Sequence, residues 1–131
     1  MKYQIIGRPP KKEDVREHFF SFLRQLEDEG VPEVKIMFGF AWGNYIYERD
    51  WLCELCSPAE ARSRVEDQER KKNGKIGSDD FYISIPGTNY ERTYCHEADI
   101  HFSSDEPNPI FQITKEEWKR LGWKVFENSS E

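Results

Sequence analysis

Tyr90-Glu91-Arg92-Thr93-Tyr94-Cys95-His96-Glu97-Ala98-Asp99-Ile100-His101-Phe102 is the stretch on which the reading of this chain turns. From Tyr94 onward it alternates. Tyr94, His96, Ala98, Ile100 and Phe102 fall on one side of an extended strand, and Cys95, Glu97, Asp99 and His101 fall on the other, because successive side chains point to opposite faces. The first set predicts a face that packs a core. The second is a row of one thiol, two carboxylates and one imidazole, with neighbours roughly 6–7 Å apart at Cα. Asp99 and His101 at that spacing can share a divalent ion. Glu97 and Asp99 can act as an acid and a base, mutual repulsion raising one of the two pKa values. The alternative reading is a solvated strand face whose carboxylates pair with cross-strand cations.

Upstream, Phe81, Ile83 and Ile85 alternate with Tyr82 and Ser84, and Pro86-Gly87-Thr88-Asn89 is a turn. The two runs therefore predict a hairpin. Before it, Ser57 to Lys72 reads as a helix. Ser57 with Glu60 forms a capping box, Pro58 takes the first helical position, and Glu60–Arg64, Glu66–Arg70 and Asp67–Lys71 are pairs four apart. Only Ala59, Ala61 and Val65 are apolar, which predicts a largely solvated helix ended by Asn73-Gly74. Its basic residues alternate with carboxylates, so a solvated face is expected there rather than a basic patch.

Nearer the N-terminus, Tyr3 to Ile6 is a short apolar run and predicts a strand. Lys11 to Glu29 carries Val15, Phe19, Phe22, Leu23 and Leu26 at helical spacing, with Gly30 placed to cap the helix and Pro32 to prevent its continuation. His18 borders that stripe and is read as a packing residue. Val34, Ile36, Phe38, Phe40 and Trp42 alternate as a strand, with Gly43-Asn44 as a turn into Tyr45-Ile46-Tyr47. Downstream, Ile110 to Ile113 predicts a short strand. Thr114 with Glu117 predicts a capped helix ending at Leu121 and Gly122, with Trp118 and Leu121 inward, and Trp123 to Phe126 a last strand. The order β-α-ββ-α-ββ-β-α-β predicts one α+β domain over residues 1–131, a mainly antiparallel sheet of hairpins with two to three helices packed on it.

Composition narrows the function classes. The 131 residues hold 25 acidic and 19 basic side chains, a net charge of -6. That argues against non-specific nucleic-acid binding, which requires cations to neutralise phosphates, and favours a basic protein partner. No segment approaches the ~20 apolar residues of a membrane span. Met-Lys-Tyr-Gln-Ile-Ile-Gly has no apolar leader core, so the expected location is cytoplasmic, with three reduced cysteines.

Cys53 and Cys56 form a Cys-x-x-Cys pair. A structural zinc site needs two further ligands, for which Cys95, His96 and His101 are the candidates. No phosphate-cradling glycine loop, nucleophile elbow or His-Glu-x-x-His helix is present.

The leading expectation is a small acidic binding module of inhibitor or immunity type, without a cofactor, docking a protein through Glu97, Asp99, Trp42, Tyr45 and Tyr47. The alternatives are a metal-dependent hydrolase using Glu97, Asp99 and His101 with Cys95 or His96, and a structural zinc protein built on Cys53, Cys56, Cys95 and His96.

Overall fold

The computed structural model describes residues 3–39, 42, 53–106 and 109–129. The elements are β1 (Tyr3–Arg8), α1 (Lys12–Asp28), β2 (Val34–Phe38), β3 (Glu54–Cys56), α2 (Pro58–Arg70), β4 (Phe81–Ser84), β5 (Tyr90–Tyr94), β6 (Ile100–Ser104), α3 (Pro109–Arg120) and β7 (Lys124–Ser129). The seven strands form one sheet in the order β3-β2-β4-β5-β6-β1-β7. Every neighbouring pair is antiparallel. The α+β reading with a hairpin-built antiparallel sheet holds, with three helices among the described residues. The Gly43-Asn44 turn and the Tyr45–Tyr47 strand lie outside the described residues.

The helices cover one face of the sheet. Val15, Phe19, Leu23 and Leu26 form the buried stripe of α1. Phe19 meets Phe81 and Tyr94 edge-on, each with ring centroids 5.1 Å apart. Ala61 and Val65 of α2 join the same core. The capping box of α2 forms as expected, with Glu60 N donating to Ser57 Oγ and Ser57 N to Glu60 Oε1. Its arginines are paired: Arg62 with Glu27, Arg64 with Glu54, Arg70 with Asp67. Ala59 is exposed.

α3 packs Trp118 onto β1 at Gly7, where a Cβ would stand 2.4 Å from the indole ring. Only glycine permits that approach. Gly122, at φ 80°, closes α3 in the left-handed conformation as expected.

Four expectations are corrected and one strand is added. Residues 90–102 are two strands, because the chain reverses between Tyr94 and Ile100, which pair across β5 and β6. Paired positions six apart have the same parity, so alternation runs through the reversal unbroken and hides it. Residues 110–113 are helical, not extended. Pro109 opens α3, and Phe111, on its first turn, sets its ring edge-on to Phe102 at 4.9 Å. Ile-Phe-Gln-Ile is too short to reveal its period. Thr114 is therefore a buried residue inside the helix instead of its cap, and Leu121 is 55% exposed. Finally, β3, unforeseen, is an edge strand in which Cys56 pairs with Val34.

The opposite face of the sheet carries Gln4, Ile6, Met37, Tyr82, Glu91, Thr93, His101 and Ser103, all half-buried, and exposed Lys35. Among the described residues no helix lies over it.

Candidate metal centre

The reversal between β5 and β6 builds the site. Cys95 N donates to the Asp99 carbonyl at 2.9 Å, and Ala98 N to the Cys95 carbonyl at 3.2 Å. His96, Glu97 and Ala98 form a three-residue loop, with Ala98 left-handed at φ 63°. That is a type I turn closed by a left-handed residue, a common hairpin connection. Glycine usually fills the last position, since a Cβ there costs about 1 kcal/mol.

The turn folds Asp99 back over the open face. Asp99 is 2% exposed. Its Oδ2 accepts from Arg8 Nη2 at 3.2 Å, and its Oδ1 lies 3.1 Å from His101 Nε2. Cys95, on the same face, lies beside this carboxylate. Burial, with the charges of Asp99 and Asp80, pushes its thiol pKa up to about 11, partly opposed by a hydrogen bond from the Glu97 backbone. Unaided, Cys95 is therefore a neutral thiol at pH 7, a poor nucleophile.

A second arm comes from the loop before β4. Asp80 Oδ1 accepts from His96 N at 2.7 Å and lies 2.9 Å from His96 Nδ1. The hydrogen bond and charge of Asp80 raise the His96 pKa above its ordinary value. Asp80 is itself fixed, its carbonyl accepting from Gly39 N at 2.8 Å and Trp42 Nε1 at 2.7 Å.

Two overlapping donor groups result. Cys95, Asp99 and His101 place one ligand atom each within 4.8 Å of one another, and so do Asp80, Cys95 and His96. Cys95 belongs to both. Thiolate, imidazole and carboxylate are the ligand types that zinc takes.

Of the expected row, Cys95, Asp99 and His101 do come together, through the turn and not through strand spacing. Glu97 stands at the apex with a side chain 64% exposed, 3.8 Å from His96 Nε2 and outside both groups. Cys53 is exposed and Cys56 buried. Burial raises the Cys56 thiol pKa. Neither belongs to a donor group among the described residues, so the set Cys53, Cys56, Cys95 and His96 is not assembled there. The expected docking contacts change as well. Trp42 is fully buried and supports Asp80, and Asp99 is enclosed by its partners, so neither presents a surface. Tyr45 and Tyr47 lie outside the described residues.

Sequence reasoning missed Asp80 and Arg8. Asp80 sits in a polar loop, Ser78-Asp79-Asp80, that carries no motif, and Arg8 is 91 positions from Asp99.

Comparison with protein-family models, curated proteins and solved structures finds no match for the chain. Among the described residues no helix is long and apolar enough to cross a membrane.

Proposed function

We propose that this chain binds a divalent transition metal, zinc foremost, at the β5–β6 turn through Cys95, Asp99 and His101, with His96 and Asp80 as the adjoining arm. The observation that carries the reading is the convergence of sulfur, oxygen and nitrogen donors within 4.8 Å. A metal would displace the Cys95 proton, since the thiolate is the ligand form. Three protein ligands leave one position for water or substrate, the pattern of reactive zinc sites rather than closed structural ones. A zinc ion so held supplies an acidified water, the chemistry of hydrolysis. Arg8, with a side chain 49% exposed, stands beside Asp99 and can turn toward an anionic substrate.

The test is the metal content of untagged protein purified without chelator, with melting curves in zinc, manganese and EDTA. The expected result is near-stoichiometric zinc and a melting point several degrees higher than in EDTA. Cys95→Ser and His101→Ala should each abolish both, while Cys53→Ser leaves them intact. No bound metal and no shift, or a shift that survives Cys95→Ser, overturns the reading.

A second reading, a docking module for a basic protein, is favoured by the uncovered sheet face. There Tyr82 and Glu91 stand half-buried beside exposed Lys35, and Phe126 is 47% exposed. Charge reversal at Glu91 and Glu97 should then weaken capture of a cationic partner. Capture indifferent to both changes removes this reading.

A further inference from the structure

Arg92 stands on the helix-covered side of β5, two residues from Tyr94 in the core. Its guanidinium lies 4.3 Å from the Phe22 ring centroid and 4.7 Å from that of Phe102. Stacking on aromatic faces suits a guanidinium, but it uses none of the five N–H donors. Among the described residues no carboxylate or carbonyl accepts a hydrogen bond from it, whereas Arg8, Arg16, Arg62, Arg64 and Arg70 each have a carboxylate partner. Glu117 acts on it only through its charge. Desolvation pulls its pKa below the ordinary value.

Arg92 borders a cavity of about 160 Å³ between α1, the β4–β5 end of the sheet and the start of α3. The walls are mainly apolar: Phe22, Leu26, Ile83, Tyr90 and Ile110. Exposed Glu29 also borders it, accepting from Gln25 Nε2 at 3.3 Å. A half-buried cation whose donors meet no protein acceptor among the described residues, at the edge of a hydrocarbon-lined space, matches a ligand with one anionic end and an apolar body.

We propose that this cavity is a binding site for a small monocarboxylate, its carboxylate paired in fork geometry with Arg92 and its apolar body lying against Leu26, Ile83 and Ile110. The volume equals that of about five liquid waters, which limits the body to a short alkyl chain or a single ring. Glu29 disfavours a second negative charge. Phosphate, with no apolar part, leaves the walls unused. The site is independent of the metal centre, which lies at the other end of β5 and on the other face of the sheet.

The experiment is an NMR titration of the full chain with benzoate, hexanoate, benzamide, succinate and inorganic phosphate, following the amide signals of Leu26, Ile83, Tyr90 and Arg92. The expected result is saturable shifts at these residues with benzoate or hexanoate. Benzamide and succinate should bind at least tenfold more weakly. Arg92→Met should weaken benzoate binding at least tenfold. Ile110→Trp, which fills the cavity mouth and leaves Arg92 in place, should block binding, and it decides the matter if Arg92→Met does not fold. Equal binding of benzoate and benzamide overturns the proposal, because the charge then contributes nothing. Phosphate binding as well as benzoate overturns the ligand class. The absence of saturable shifts with every probe overturns the site.

Discussion

The two faces of the β5–β6 hairpin carry similar chemical groups in opposite electrostatic states. On the open face, Asp99 meets Arg8, His101 and Cys95, and, though enclosed, it has a partner for each carboxylate oxygen. On the helix face, His18, Tyr94 and Arg92 share an aromatic layer in which the half-buried Arg92 has no hydrogen-bonding protein partner among the described residues. His18 Nδ1 reaches Tyr94 Oη at 3.1 Å, and its ring packs among Tyr94, Trp118 and Trp123. The difference follows from what covers each face. On the open side, polar groups from the turn and from β1 find each other. Helices at the other side leave room for aromatic rings, so a titratable group there either goes neutral or remains an isolated cation.

Acid should show the contrast most strongly. Burial, reinforced by the Arg92 charge, lowers the His18 pKa to about 3 from its ordinary 6.5. The folded chain therefore holds fewer protons on this residue than the unfolded chain between those two values. Stability from this source is fully present above pH 6.5 and is lost as pH falls toward 3. The slope approaches about 1.4 kcal/mol per pH unit, a loss of up to about 3 kcal/mol by pH 4. Urea denaturation from pH 7 to 4, run on wild type and His18→Gln, isolates it. The variant should lose most of the slope, and equal slopes would mean that His18 is solvated in the native state.

Removing the anion of the open face is the next largest effect. Asp99→Ala leaves Arg8 and His101 without their shared acceptor and empties an enclosed polar position. Unmaking such bonds costs about 1–3 kcal/mol. The lower half of that range is expected, because Arg8 is half exposed and regains water. Measured in EDTA, the loss reports the hydrogen bonds alone. Measured in zinc it should be larger, since wild type then gains from metal binding and Asp99→Ala does not. An equal loss in both conditions separates Asp99 from the metal.

What was legible in the sequence divides along the same line as the two faces. The helix face could be read because burial is periodic: Val15, Phe19, Leu23 and Leu26 repeat at helical spacing, and Val34, Ile36 and Phe38, like Phe81 and Ile83, alternate. The caps at Ser57 and Gly122 could be read because their backbone geometry demands particular residues. The open-face site could be named in part, as Cys95, Asp99 and His101, but for a different geometric reason. Cys-His-Glu-Ala-Asp holds no glycine, proline or asparagine to mark a turn, and Ala98 takes the left-handed position that glycine usually fills. Asp80 and Arg8 reach the site through tertiary folding, which leaves no local trace. Arg92 was also invisible. In sequence it is one more charge in a strand, and only the packing of Phe22 and Phe102 against it sets it apart.

The smallest expected effect is the most pointed test of the comparison. Arg92→Met keeps an unbranched side chain of similar length between the two phenyl rings and removes the charge. The variant gives up the cation–π attraction, about 0.5–2 kcal/mol, and is relieved of the cost of holding a half-buried cation without a protein hydrogen-bonding partner. These terms oppose each other, so stability should stay within about 1 kcal/mol of wild type. That is the pattern known for buried charges exchanged for apolar groups of similar volume, whereas deleting one member of a pair strands the other. The same urea curves that report Asp99→Ala decide it. A small or favourable change at Arg92 beside a clear loss at Asp99 means that the open face is held together by its charges and the helix face stands in spite of one. A loss at Arg92 as large as that at Asp99 would mean that the aromatic sandwich itself depends on the cation, and the two faces would then be stabilised in the same way.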